Sequence, residues 1–173
     1  SVFFTGEGML MKFSLVKDTL LSYNYERFGK PSYIDASNPS LVAVYFGQNE
    51  RLLLLDENLK EVTRPFFTDE VDMYDISAVV ATPRRELWFY DSYQNQLTKF
   101  NDVYIPVARS GVLNKWVPTG DQPLFFTSSP GRLFLNFPSW GILVLDRSGN
   151  YLTSYRLTGI IDFYVQDHYL CYY

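Results

Sequence analysis

Cysteine, histidine, clustered positive charge and long apolar runs are all scarce in this sequence. Each scarcity removes a class of chemistry. There is one cysteine, Cys171, so neither an intrachain disulfide nor a thiolate metal cluster can form. There is one histidine, His168, on which any Ser-His-Asp or Cys-His mechanism would depend. In an extended strand, positions 168 and 171 point to opposite faces, so they make no local dyad. His168 then reads as a polar turn residue and Cys171 as a small buried side chain. The 15 Lys and Arg are scattered among 19 Asp and Glu, the net charge is −4, and no basic run exceeds Arg84-Arg85. Nucleic-acid binding needs clustered positive charge, so nucleic acid is not an expected partner. No apolar run reaches the ~18–20 residues of a membrane span. Gly-rich phosphate loops, paired-Cys zinc patterns and EF-hand loops are missing, so no metal and no cofactor is expected. No signal peptide is visible. The chain opens and stops in strand-like segments, 1–4 and 169–173, and is expected to be part of a longer one.

What is abundant is aromatic. Fourteen Tyr, fourteen Phe and three Trp make 18% of the 173 residues, within an ordinary globular balance of 47% hydrophobic and 20% charged. Aromatic side chains favour pleated, half-buried surfaces, which points to an all-β fold.

Repetition organises the chain. Segments 41–46, 87–91 and 133–137 align with starts 46 residues apart, and a fourth copy begins at Tyr169. Each complete copy leads through a polar turn into a second apolar run ending in an acid, at Asp56, Asp102 and Asp146. A shorter apolar segment precedes each unit, at 32–35, 75–80, 124–127 and 161–165, and the first three join the next strand through Pro39, Pro83 and Pro130. Pro fixes φ and suits such turns. A fourth strand is expected at 60–64, 104–108 and 151–157. Four short strands in about 40–46 residues mark a β-propeller blade of antiparallel strands. Inner strands should be apolar on both faces, because neighbouring blades pack against each sheet, and 52–55 and 142–145 show such runs. Aromatics would then fill the wedge between sheets.

The expected division is one domain, 1–173. It has a partial blade at 1–28, full blades at about 29–70, 71–120 and 121–160, and a partial blade at 161–173. Residues 12–25 have near-helical apolar spacing, but the alternation at Tyr23-Asn24-Tyr25 favours strand. The terminal pieces could share one blade of a four-bladed ring. The surplus of strands instead favours separate blades of a larger ring, incomplete in this chain.

Two sets of side chains carry possible function. Asp35, Asp75 and Asp162 fall on the innermost strand of three units. As channel acids they would hydrolyse a glycosidic bond, if two carboxyls stand about 5–10 Å apart, or hold a cation through oxygen. The plainer reading is that they bond neighbouring backbone. Asp56, Asp102 and Asp146 recur at a strand-to-turn junction, where Asp caps turns. In a four-stranded blade, the loop between strands two and three emerges beside the loop between blades. Loop order thus gathers Trp116, Trp140 and Tyr93 on one face. Loop-borne Trp and Tyr either anchor a partner or fold back as a hydrophobic lid.

The runs ending at Asp56, Asp102 and Asp146 resemble blades of NHL-like and six-bladed TolB-like propellers. The stretch 28–39 together with 41–46 resembles one in small secreted or lipid-anchored propeller proteins of Bacteroidota. That resemblance implies a protein of the periplasm or outer-membrane surface, held by a lipid anchor. It implies other proteins as partners, within a membrane-associated complex such as outer-membrane export machinery. It carries over no catalytic residue. The expected function is a non-catalytic protein-interaction scaffold, with Trp116, Trp140 and Tyr93 as partner contacts. The alternatives are a hydrolytic propeller using inner-strand acids, or a ligand- or cation-binding one.

Overall fold

The computed structural model describes residues 2–38, 40–68, 71–82, 84–118, 120–166 and 169–172, Phe125 by its backbone alone. His168 and the turn prolines Pro39 and Pro83 lie outside the described residues. Among the described residues the strands form five antiparallel sheets, each made of consecutive strands. The first holds β1 (Val2–Gly6), β2 (Met9–Ser14) and β3 (Thr19–Asn24). Residues 12–25 are therefore strand, with Lys12 opposite Leu21. Three four-stranded sheets follow. The first contains β4 (Tyr33–Asp35), β5 (Leu41–Phe46), β6 (Arg51–Asp56) and β7 (Phe66–Phe67). The next contains β8 (Ile76–Ala81), β9 (Leu87–Asp91), β10 (Gln96–Phe100) and β11 (Pro106–Arg109). The third contains β12 (Phe125–Ser129), β13 (Arg132–Phe137), β14 (Gly141–Asp146) and β15 (Tyr151–Tyr155). A hairpin of β16 (Phe163–Gln166) and β17 (Tyr169–Tyr172) ends the described chain. The chain is thus an all-β propeller assembly, with four-stranded antiparallel sheets between incomplete ones.

Strand alternation explains why the inner strands are apolar throughout. Successive side chains point to opposite faces of a sheet. Val42, Val44, Phe46, Leu53 and Leu55 pack toward the first sheet. Their neighbours Leu41, Ala43, Tyr45, Leu52 and Leu54 pack toward β8 and β9, against Val79, Leu87 and Phe89. The other face of β8 and β9, with Val80, Trp88 and Tyr90, packs on Leu133, Leu135 and Leu143. Phe134 and Val144 then face Phe163 of the last hairpin. Both faces of each inner strand are therefore buried, and a large buried side chain contributes roughly 1.5–3 kcal/mol.

Polar ties cross the same seams. Lys12 Nζ donates to the Glu57 carbonyl at 2.7 Å, and Tyr23 Oη donates to Glu61 Oε1 at 2.6 Å. Thr63 and the Tyr104 hydroxyl are 2.6 Å apart, and the Tyr104 ring stacks on Phe66 at 4.3 Å. At the axis, β4 and β12 both pack beside β8. The Tyr33 hydroxyl spans from β4 to β12, donating to the Phe126 carbonyl and accepting its N–H, each at 3.2 Å.

Two expectations about the outer strands change. The strand expected at 60–64 is reduced to one bridge, Leu55 with Glu61, and pairing resumes at β7. Pro65 has no N–H to give a ladder and separates the two. The acid expected to cap a turn at Asp102 does not; its neighbour Asn101 does. Asn101 Oδ1 accepts from the amides of Val103 and Ile105 at 3.1 and 2.9 Å. Asp56 Oδ1 accepts from Asn58 and Lys60, both at 2.8 Å, and Asp146 Oδ1 accepts from Ser148 and Asn150 at 2.8 and 2.9 Å. The fourth residue of each turn is left-handed, at Leu59 (φ 58°), Tyr104 (φ 60°) and Gly149 (φ 85°). The turns therefore repeat every 45 residues, at 56, 101 and 146. Burial pushes the Asp146 carboxyl up, but the Asn150 side chain and the turn amides outweigh it and hold the group below its ordinary value.

Candidate interaction surface and channel acids

Loop order brings the three aromatic candidates to three different surroundings. Trp140, in the turn after β13, is 6% exposed. Its ring meets Phe137 edge-on at 6.2 Å and lies beneath the Arg156 guanidinium at 4.0 Å. It occupies the lid position, between core and cation. Trp116 is half-buried and stacks on Tyr151 at 5.3 Å, with planes 11° apart. Tyr151 pairs with Leu145 near one end of β14, whereas Trp140 adjoins Gly141 at the other. The two tryptophans thus lie toward opposite ends of β14 and not side by side. The loop between sheets is long enough for the Trp116 ring to fold back against Gly111, where an added Cβ would sit 3.2 Å from it.

Tyr93 is different. It is 78% exposed and meets Tyr74, 67% exposed, at 5.7 Å between ring centres. Polar bonds fix the backbone under this pair. The buried Asp91 carboxylate accepts from the amides of Tyr74 at 2.8 Å and Gln94 at 2.9 Å. The Ser92 amide donates to the Asp75 carbonyl at 2.8 Å, and the Ser92 hydroxyl bonds the Asp75 carboxylate. Behind them, the Tyr90 hydroxyl donates to Asn95 Oδ1 at 3.2 Å, and burial followed by the Asp91 charge pushes its phenol up to about 12. Asp72 raises the Tyr74 phenol above its usual value. Two rings with few rotatable bonds stand in water on a braced turn, an arrangement that loses little entropy on contact.

The channel acids divide. Asp35 is 4% exposed. Its carboxylate accepts from the Ser37 amide at 2.9 Å and, across the seam, from the Ala81 amide at 2.8 Å. Burial raises its pKa, against the pull of those donors. Asp75 is exposed and precedes Ile76, at the far end of β8 from Ala81. The rise per residue along β8 separates those ends by roughly 17 Å, too far for a carboxylate pair. Asp162 Oδ1 accepts from the Phe163 amide at 2.7 Å. After burial, the charges of Asp35 and Asp162 raise the Tyr33 phenol. The three acids do not form one cluster. Among the described residues no group of three or more His, Cys, Asp or Glu is placed to hold a metal ion.

Sequence reasoning missed Tyr74 and Tyr33. Tyr74 lies in the loop leading to β8, and only the Asp91 bond brings it to Tyr93. Tyr33 meets Phe126 across 93 residues, a contact no local pattern encodes.

No family model matches the sequence, and no curated protein matches it. Solved structures do match the fold. Virginiamycin B lyase from Staphylococcus aureus aligns with a TM-score of 0.54 and 14% identity over 87% of this chain and 49% of its own. Kluyveromyces lactis Hsv2 aligns at 0.60 and 13%, over 82% of this chain and 41% of its own. The Neurospora crassa Pan2 WD40 domain aligns at 0.55 and 14%, over 93% and 52%. The chain therefore spans about half the length of the propellers it matches. At these identities the likeness concerns fold alone, and it makes this chain a β-propeller repeat protein.

Proposed function

We propose that the protein is a non-catalytic interaction scaffold, an accessory subunit of a bacterial cell-envelope or outer-membrane export complex. One observation carries the scaffold reading: Tyr74, in the loop before β8, and Tyr93, in the β9–β10 turn, stand exposed together on backbone braced through Asp91 and Asp75. Trp116, stacked on the 40% exposed Tyr151, is a second contact candidate, and Trp140, 6% exposed, serves as a lid on its own sheet. The sheets serve as full blades at about 29–70, 71–120 and 121–160, and the terminal sheets as pieces of two more. The setting at the periplasm or outer-membrane surface, through a lipid anchor, rests on the resemblance of 28–46 to Bacteroidota envelope propellers.

A photo-crosslinking amino acid placed at position 93, and at the exposed Lys17 as control, tests this in cells that make the protein. Position 93 should capture an envelope protein in the membrane fraction, and Tyr74→Ala should weaken that capture at least about tenfold, or 1.4 kcal/mol. Equal labelling at 93 and 17, or recovery of all the protein in the cytosolic fraction, would overturn the proposal.

A further inference from the structure

A cleft of about 500 Å³ opens between the second and third four-stranded sheets. It is bounded by the β8–β9, β12–β13 and β14–β15 turns. Its charge opposes that of the chain, which is −4 overall. Among the described residues four cations line it, Arg84, Lys99, Arg132 and Arg147, against a single acid, Glu86. Lys99 neutralises that acid at 2.8 Å, with its side chain 12% exposed and its ammonium 5.9 Å from the Trp88 ring centre. Three arginines remain. None makes an ion pair or side-chain hydrogen bond among the described residues.

The backbones that carry these arginines are fixed. Arg84 sits in a turn closed by the Arg85 amide on the Thr82 carbonyl at 3.0 Å and the Glu86 amide on Thr82 Oγ1 at 3.3 Å. Arg132 follows a two-residue turn, Pro130-Gly131, in which Gly131 has φ 79° and Ser129 pairs with Arg132. The Pro then Gly order suits a type II turn. Arg147 lies in the turn capped by Asp146. Three permanent charges on braced turns need little reorganisation to close on an anion. The guanidinium fork matches tetrahedral oxyanions through paired N–H bonds. The hydroxyls of Ser128, Ser129 and Ser148 line the same cleft and add donors. A singly charged carboxylate would leave two arginines uncompensated and a phosphate monoester, at about −1.5 to −2, roughly one, whereas a diphosphate comes nearest to balancing all three. The volume admits an organic body beside the phosphate, within the usual range of small-molecule pockets. An extended polyanion fits poorly, since the surface beyond the cleft is acidic on balance.

We propose that this cleft binds a phosphate-bearing small molecule or headgroup, with the phosphate held by Arg84, Arg132 and Arg147. The proposal is independent of the interaction reading. Calorimetric titration of the chain with inorganic pyrophosphate in ~50 mM salt tests the first source. Arg132→Ala and Arg147→Ala should each weaken binding about tenfold, as expected for lost hydrogen bonds to a charged group. The double variant should lose roughly a hundredfold, with its far-UV spectrum retained. Arg85→Ala, adjacent in sequence but outside the lining, should change affinity less than about twofold. Arg132→Lys keeps the charge and loses the fork, and should recover only part of the affinity. Co-sedimentation with vesicles containing phosphatidic acid, against phosphatidylserine vesicles of equal charge, tests the second source. Binding of pyrophosphate alone, lost in the double variant, assigns a soluble phosphate compound. Sedimentation with phosphatidic acid that pyrophosphate displaces assigns a lipid headgroup. Binding to neither probe, or binding undiminished in the double variant, overturns the proposal.

Discussion

Replacing Asp35 with alanine would strip two amides of their shared acceptor. Asp35 closes its own turn through Ser37 at 2.9 Å and ties the first four-stranded sheet to the second through Ala81 at 2.8 Å. Ala81 is fully buried, so water cannot replace the lost acceptor there. A hydrogen bond to a charged group contributes about 1.5–3 kcal/mol, and an orphaned buried amide costs a similar amount. The Ser37 amide can turn to water, and removing a buried carboxylate offsets part of the loss. The net expectation for Asp35→Ala is about 2–3 kcal/mol of destabilisation. With a urea m-value of about 2 kcal/mol/M, the midpoint should fall by about 1–1.5 M. Asp35→Asn should not recover all of it, because one oxygen cannot serve both amides and its NH₂ confronts the other. The pH dependence adds a second check. Burial raises the folded pKa of Asp35 above its unfolded value near 4. A raised carboxyl contributes stability that is fully present below the unfolded pKa and is lost as pH rises through the folded one. Wild type should therefore gain on Asp35→Asn as pH falls from 7 toward 4. A cost below about 0.5 kcal/mol for Asp35→Ala, or a difference that shrinks on acidification, would refute the reasoning.

Other substitutions probe other joints. Gly141→Ala should destabilise by about 3 kcal/mol or more in urea melts, because the residue has φ 136° and its new Cβ would lie 2.1 Å from the Tyr155 carbonyl oxygen. Trp140→Ala should cost about 3–5 kcal/mol in the same assay, as expected for a buried ring. Tyr93→Ala should stay within about 0.5 kcal/mol, since its ring is in solvent. Asn101→Ala should lower stability by about 1 kcal/mol through loss of the turn cap, whereas Asn101→Asp should be neutral, because Asp56 and Asp146 already do this work; thermal unfolding compares the two.

Much of the fold was legible because it is local. Continuous short apolar runs, turn prolines and a repeat of about 45 residues are written in neighbouring positions. They place β5, β6, β9, β13 and β14 within a residue or two. The errors were local as well. The Asp102 misassignment came from reading the chemical type, acid, and not the donor geometry, which Asn101 satisfies equally. The missing strand at 60–64 came from carrying the four-strand repeat over this segment without the donor that Pro65 removes. The candidate surface was less legible. Tyr93 lies in a turn and was readable as exposed, but its partner Tyr74 is set by Asp91, 17 residues away. Trp116 and Trp140 looked equivalent as loop residues. Only packing distinguishes a ring under Arg156 from one stacked on Tyr151.

The sequence by itself determined the class: an aromatic-rich, all-β repeat with strands apolar on both faces and no cysteine or histidine pair for chemistry. Those properties follow from the strand period of two and from composition. The tertiary structure alone decided which distant residues meet. It sent Asp35 and Asp75 to opposite ends of β8, carried Tyr33 across the axis to Phe126, and stacked three turns so that Arg84, Arg132 and Arg147 share a cleft. In the sequence the positive charge was thin and scattered. Radial packing of sheets brings turns from successive repeats together, so charges 15 or more residues apart add at one point.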